Sequence, residues 1–369
     1  MMKILFSTDQ IYLHGGIEKV MAEKANYFAN LPGVEVFILT TEQKGNPPCY
    51  PLNSAIQILD MGIDYERTQS YFSKANLRKV LMHFRKQKSI LSEIRPDVII
   101  SPNYNFDHYW LPFIKGKAKL IKERHASRYR EAEMRKTGGF SSELRGKLND
   151  WVEAKYNHIV VLNPDEKKYV KTANAVVIPN PMGAVDFISP LVEKQVLAAG
   201  RIAPVKGFDE LIEIWTMIRD EFPDWELHIY GDDYLGTQSK LETRIKEYNL
   251  EKEISFKGTV SDLRLTMQEY SIYAMTSETE CFPMVLLESL SVGLPIVSYD
   301  CPNGPRNIIQ HQEDGFLIEN KNRKDFADAL RNLMNSQELR NQMGKKAKEN
   351  AHRFTTESVM KQWKKLLDL

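Results

Sequence analysis

Short apolar runs alternate with longer amphipathic stretches along this chain, and that alternation restricts its fold more than any other feature. Residues 3–7, 34–39, 97–101, 118–121, 158–162 and 175–178 read as buried strands. Residues 17–29, 73–94 and 143–156 place apolar side chains three and four apart, as helices do. The second half repeats the pattern, with strands at 195–199, 225–230, 253–256, 272–275 and 295–298. Its helices are expected at 207–220, 239–248, 262–269 and 284–292. Strand–helix alternation predicts parallel sheets covered by helices on both faces, the doubly wound α/β class. A length of 369 residues holds two such domains, and ligands are then expected in the crevice between them.

The boundary is expected near 179–185, where Asn180-Pro181-Met182-Gly183 is turn chemistry. Residues 1–182 then form one Rossmann-like domain and 183–354 the other. The tail, 355–369, reads as a further helix with Val359, Trp363, Leu366 and Leu367 on one stripe. Residues 61–74 and the surroundings of 137–140 read as loops.

Composition excludes several classes. Cys49, Cys281 and Cys301 form no CxxC pair, so neither zinc nor a disulfide framework is expected, and a reducing cytoplasm fits. Met2-Lys3-Ile4-Leu5-Phe6 runs almost at once into polar residues, so a secretory leader is not expected. No apolar run approaches the roughly 18–20 residues that cross a bilayer. Charge is unevenly spread: residues 1–182 carry 27 Lys/Arg against 19 Asp/Glu, and the remainder 23 against 30. The excess concentrates at 115–148, including Lys115, Lys117, Lys119, Lys122, Arg124, Arg128, Arg130, Arg135 and Lys136. Such a run is either an ordinary solvated face or a face attracted to anionic lipid or a lipid diphosphate. No nucleic-acid motif accompanies it.

The densest chemistry lies at 277–305, SETECFPMVLLESLSVGLPIVSYDCPNGP. Glu280 precedes the break Cys281-Phe282-Pro283, and Glu288 falls within the apolar, helical run that follows. Eight residues of helix is a little over two turns, so the two carboxylates can face one side. Together they can hold two ends of a polyhydroxylated ligand, while the N–H groups of a helix start hold an anion.

This segment resembles the E-x7-E signature of the retaining GT-B glycosyltransferases of family 4, the glycosyl transferases group 1. Three further stretches carry the resemblance in the expected order. Gly15-Gly16-Ile17-Glu18-Lys19-Val20 resembles the family's N-terminal glycine loop. Val177-Ile178-Pro179-Asn180-Pro181 resembles its interdomain linker, and Gly200-Arg201 with Lys206-Gly207 its phosphate-binding stretch. The resemblance implies a GT-B fold whose C-terminal helix crosses back to the first domain. It implies a catalytic role for Glu280, Arg201 and Lys206: Arg201 and Lys206 neutralise a departing diphosphate, and Glu280 engages the donor sugar's hydroxyls. Glu288 would accept the ribose hydroxyls. Phe282, Pro283, Met284 and Val285 would lie at a helix start against phosphate or sugar. Gly231 and the backbone of Lys257 would border the base, and Gly15 and Gly16 would let backbone approach the donor. His125 is expected to line the sugar site. Asn103, with Tyr104 and Asn105, is an acceptor-site candidate, and His14 borders the glycine loop. Two departures stand out: Cys281 replaces the usual glycine after Glu280, and Arg306-Asn307 replaces the acidic residue usual after a CP-S/T-GP turn.

The resemblance implies transfer of a hexose or N-acetylhexosamine from a nucleotide-sugar, most commonly UDP-linked, without a metal. The acceptor would be a glycan or an undecaprenyl-diphosphate-linked intermediate of bacterial surface polysaccharide, such as lipopolysaccharide or capsule. The protein would then sit in the cytoplasm, in peripheral contact with the anionic inner face of the membrane. A sugar-nucleotide epimerase, a phosphorylase or a non-catalytic sugar-nucleotide-binding protein is the alternative on the same architecture.

Overall fold

A computed structural model describes residues 1–69, 72–103 and 105–369. The chain divides into two compact units, Met1–Pro181 with Val359–Leu369, and Met182–Ser358.

The N-terminal unit is a seven-stranded parallel sheet. Its strands are β1 (Met2–Thr8), β2 (Val34–Thr40), β3 (Gln57–Asp60), β4 (Val98–Ser101), β5 (Lys119–Arg124), β6 (His158–Val161) and β7 (Ala175–Val177). Their order is β3-β2-β1-β4-β5-β6-β7, so the winding reverses between β1 and β4. The helices are α1 (Gly16–Ala29), α2 (Lys74–Ile94), α3 (Leu111–Ile114), α4 (Arg128–Thr137), α5 (Gly139–Glu153) and α6 (Pro164–Lys167). The central strands are apolar on both faces because helices cover both, as parallel sheets require.

The second unit has six parallel strands: β8 (Gln195–Ala199), β9 (Glu226–Tyr230), β10 (Ile254–Gly258), β11 (Ile272–Met275), β12 (Ile296–Tyr299) and β13 (Gly315–Ile318). Their order is β10-β9-β8-β11-β12-β13, reversing between β8 and β11. Around them lie α7 (Phe208–Thr216), α8 (Thr237–Glu247), α9 (Leu263–Met267), α10 (Met284–Ser291), α11 (Arg323–Asn335) and α12 (Gln337–Ala351). The last helix, α13 (Thr356–Leu367), returns Val359, Met360, Trp363 and Leu367 to the core of the N-terminal unit. Burying each such side chain is worth about 1.5–3 kcal/mol, which ties the chain's end to its beginning.

Several expectations are corrected. Residues 137–140 are not a loop: Gly138 and Gly139 are the joint of a helical hairpin, and Phe140 already belongs to α5. Sequence periodicity also passes over β3, β13, α4, α11 and α12. Nor is the basic run 115–148 one solvated face. Lys122, Arg124 and Arg128 are buried, and Lys119 and Arg135 pair with Asp368 and Asp150. No helix among the described residues is long and apolar enough to cross a membrane.

Candidate active site

Ligands of doubly wound sheets bind beyond the carboxyl ends of the strands where the winding reverses. In the second unit that place is the end of β8 and β11, and the sequence puts its glycines and charges there. Gly200 follows β8 at φ +154 and Gly231 follows β9 at φ +152. A Cβ on Gly231 would lie 1.9 Å from the Gly200 carbonyl oxygen, so the two turns meet backbone to backbone. Gly207 opens α7 at φ +63, and a Cβ there would lie 2.2 Å from the carbonyl oxygen of Thr276, just past β11. Thr276 Oγ1 donates to the Gly207 carbonyl at 2.7 Å, and the Glu278 N–H donates to the Val205 carbonyl at 2.9 Å. The loop after β8 is thus sewn to the loop after β11.

That stitching brings two charges together. Lys206 lays its stem across Gly200 and donates from Nζ to Glu280 Oε1 at 2.6 Å. The Lys206 side chain keeps 23% of its area exposed and that of Glu280 13%. Glu280 is held by a bridge to Asn303, and Gly304 packs so tightly on Glu280 Cβ and Pro283 Cδ that no Cβ would fit. Arg201 is exposed, with its guanidinium carbon 4.9 Å from the centroid of the Tyr234 ring.

Beyond Glu280 the chain enters α10 through buried Cys281, Phe282 and Pro283. Phe282 is fixed edge-on against Phe354, with centroids 5.7 Å apart. The N-cap residue of α10, Pro283, offers no capping side chain, and the first turn carries no acidic residue. The N-terminal positive end at Met284 and Val285 is therefore not neutralised from within the helix. Glu288 lies on α10, 6% exposed, beside fully buried Leu287 and Leu290. Both glutamates act on one further group. Tyr273, buried on β11, donates its hydroxyl to the Ala199 carbonyl at 3.1 Å. Burial first, then the charges of Glu280 and Glu288, push that phenol far above its ordinary range, so it stays a neutral donor. Cys301 is likewise pushed up by burial, then by Glu280 and Asp300, and remains an inert thiol. Lys257 is exposed at the end of β10, and the Gly231 N–H donates to the Gly258 carbonyl at 2.8 Å.

The candidates of the N-terminal unit gather at its own strand ends. Gly15 precedes α1 in extended conformation, and the space a Cβ would need is held by the Glu18 carboxylate. Gln10 Nε2 donates to Glu18 Oε1 at 2.7 Å, and burial raises the pKa of that carboxyl. Gly16 is the first residue of α1. His14 is exposed and meets Tyr50 edge-on at 5.3 Å. His125 Nε2 lies 2.9 Å from Glu123 Oε2, and Glu123 also pairs with Lys24. Burial works against the charges of both Glu123 and Lys24. For Glu123 the neighbouring Lys24 and His125 outweigh it and hold the carboxyl down to about 2. For Lys24 burial outweighs its partner and lowers the pKa. We take Glu123 as ionised, because two donors share it. Asn103 Nδ2 donates to Thr8 Oγ1 at 2.9 Å and to Asp9, while its buried Oδ1 has no partner among the described residues. Asn105 accepts from the Phe106 N–H at 2.6 Å and so serves as a cap. Tyr104 lies outside the described residues.

Sequence reading missed Tyr234, Tyr273 and Thr276; it read Asn303 and Gly304 only as part of the turn Cys301-Pro302-Asn303-Gly304-Pro305, not as neighbours of Glu280.

Residues 187–350 match the family model described as "Glycosyl transferases group 1". Across 375 residues and the full length of both chains, the protein is 28% identical to an uncharacterized glycosyltransferase of Haemophilus influenzae. It is 26% identical over 385 residues, again across both full lengths, to the amylovoran biosynthesis glycosyltransferase AmsD of Erwinia amylovora. Its fold superposes with a TM-score of 0.79, over all of both chains at 18% identity, on an S. aureus TarM variant crystallised with fondaparinux, alpha-GlcNAc-glycerol and UDP.

Proposed function

The chain belongs to the glycosyl transferases group 1 family and has the GT-B fold, and from that premise we propose a retaining transfer of a hexose or N-acetylhexosamine from a UDP-sugar. The observation that carries this reading is the Lys206–Glu280 pair at the winding reversal of the second unit, beside the start of α10, whose first turn carries no acidic residue. A diphosphate needs cations and backbone donors, and Lys206, Arg201 and the first turn of α10 supply both. Lys206 is held by Glu280, so an arriving phosphate oxygen takes over a preformed ammonium position. Glu280, released, is left to accept from the sugar's hydroxyls. Glu288 accepts from the two ribose hydroxyls. Gly231 and the backbone at Lys257 border the base, and the UDP bound by TarM supports uracil as that base.

The reaction balances without a covalent enzyme intermediate. The acceptor hydroxyl attacks the anomeric carbon on the face from which UDP departs. The carbon–oxygen bond to the β-phosphate breaks, and the hydroxyl proton passes to the departing phosphate. Charge building on that phosphate is met by Lys206, Arg201 and α10, so transfer is expected to persist in EDTA. We assign acceptor binding to the N-terminal unit, with Asn103 and His125 as its candidate contacts. The acceptor is a glycan or lipid-linked intermediate of surface polysaccharide, in keeping with the role named for AmsD.

The test is UDP release and product stereochemistry with UDP-glucose, UDP-galactose and UDP-N-acetylglucosamine, with EDTA present, against simple glycoside and lipid-linked acceptors. An α-linked product from an α-linked donor is expected. Inversion, or an absolute need for a divalent ion, overturns the mechanism.

A further inference from the structure

Helix α5 wears its apolar residues on the wrong side for a solvated helix. Gly146, Asn149, Val152 and Glu153 face the protein and are buried. On the opposite side Phe140 is 82% exposed, Leu144 59%, Leu148 47% and Trp151 52%. At 3.6 residues per turn these four fall within about a quarter-turn of one another. A surface helix ordinarily gives that side to polar residues. Phe113, 59% exposed, widens the stripe by stacking on Trp151 with centroids 5.8 Å apart. Met134 on α4, 53% exposed, extends it beside the hairpin joint, where Ser142 Oγ donates to the Met134 carbonyl at 3.1 Å. A contiguous exposed apolar patch of this kind marks an interaction surface.

The charges around the stripe say what covers it. Within 113–155 the exposed charged residues are Lys117, Arg130, Lys136, Arg145, Lys147 and Lys155 on the basic side, against Glu143 on the acidic side. Glu143 is itself paired with Lys147 at 2.8 Å. Lys155 sits over the Trp151 ring at 5.4 Å from its centroid. An apolar stripe with a tryptophan at its end and a basic border is the pattern of a helix lying in a lipid–water interface. A second copy docked on this face would bring like charges together, whereas anionic headgroups neutralise them.

We propose that the α4–α5 hairpin docks the protein on an anionic phospholipid bilayer, with α5 in the interface plane. Phe140, Leu144, Leu148 and Trp151 enter the boundary between headgroups and acyl chains. The docking element is thus not the basic run as a whole, in which Arg124 and Arg128 are buried in ion pairs, but one apolar helix face with a basic border. The proposal deepens the reading above, and rests on it only in making this the surface where a lipid-linked acceptor is met.

Flotation of the full-length protein with phosphatidylcholine vesicles, with and without phosphatidylglycerol, tests the surface apart from catalysis. Wild type is expected to float with the anionic vesicles. Phe140→Ser with Leu144→Ser should weaken that binding by about tenfold or more, since burial of several apolar groups drives insertion. Arg145→Glu with Lys147→Glu should weaken it too, by a factor that shrinks as salt is raised. Both variants should keep the wild-type melting temperature and UDP-sugar turnover with a soluble acceptor. Failure of wild type to float, or undiminished floating of the apolar variant, overturns the proposal. So does a dimer in sedimentation velocity that the apolar variant dissolves, which would give the face to a second copy. Loss of all turnover with vesicle binding intact would instead strike the functional reading alone.

Discussion

Between α1 and the carboxyl end of β5 in the N-terminal unit, Lys24 and Glu123 keep 2% and 1% of their side-chain area in contact with water, whereas beyond β8 and β11 Lys206 and Glu280 keep 23% and 13%. Each pair is a lysine bound to a glutamate near the carboxyl ends of a doubly wound sheet. The first is enclosed, shared with His125, and backed by a second buried set in which Arg124 and Arg128 grip Glu153. The second stands on glycine turns, against a helix start with no acidic residue in its first turn. Enclosed charges are fixed to one another and hold structure. Partly exposed charges on close-approaching backbone can change partners, which a ligand site requires. The residue types are the same, and burial and the backbone beneath them separate the roles.

Four substitutions put that contrast at risk, from the largest effect to the smallest. Glu123→Gln strands the buried Lys24 and should cost about 3–5 kcal/mol of stability. Its pH dependence carries a sign. The folded pKa of Glu123 lies below its ordinary 4.5, near 2, so its contribution is complete above 4.5 and fades as pH falls toward 2. Urea melts should therefore show wild type losing its advantage over the variant between those values; a constant gap would return the pair to the surface class. Lys206→Ala should cut transfer by about 10²–10³-fold, as loss of a transition-state donor does, with the melting temperature nearly kept. A collapse in stability instead would make Lys206 the structural partner of the comparison.

Gly231→Ala should destabilise the second unit by about 2–3 kcal/mol, because the new Cβ meets the Gly200 carbonyl, and should raise the donor KM in whatever protein remains folded. Unchanged melting would show that the two turns need not touch. Tyr234→Ala should have the smallest effect. It removes a cation–π contact at a half-exposed site, worth about 0.5–1 kcal/mol, and should appear as a severalfold rise in donor KM with kcat little changed. A kcat loss without a KM change would take Tyr234 out of ground-state binding.

The central strands were legible because parallel strands buried on both faces are continuous apolar runs. Edge strands were not. Gln57–Asp60 is exposed at three of its four positions, so it carries no apolar run. Helix α4, RYREAEMRKT, lacks an apolar stripe and is anchored by the ion pair of Arg128 with Glu153, which periodicity cannot detect. Glu280, Glu288, Arg201 and Lys206 were readable as a pattern along the chain. The contact between Lys206 and Glu280 was not, since 74 residues separate them and only the crossing of two strand-end loops joins them. Tyr273 left no local trace, and Asn303 showed only as part of a turn, because their roles come from where β11 and the loop after β12 end. The run 115–148 misled for a related reason: composition counts charges without showing which are buried against a carboxylate.

Thermal melting of wild type and Glu288→Ala with UDP, ADP and GDP, without added metal, probes the nucleotide site itself. A ligand at about 100 times its dissociation constant stabilises by ~2.7 kcal/mol, a readable shift. The account predicts a rise with UDP for wild type, absent in Glu288→Ala and small with the purine nucleotides. An equal rise in the variant, or none in wild type, would contradict a uridine nucleotide site at the ends of β8 and β11.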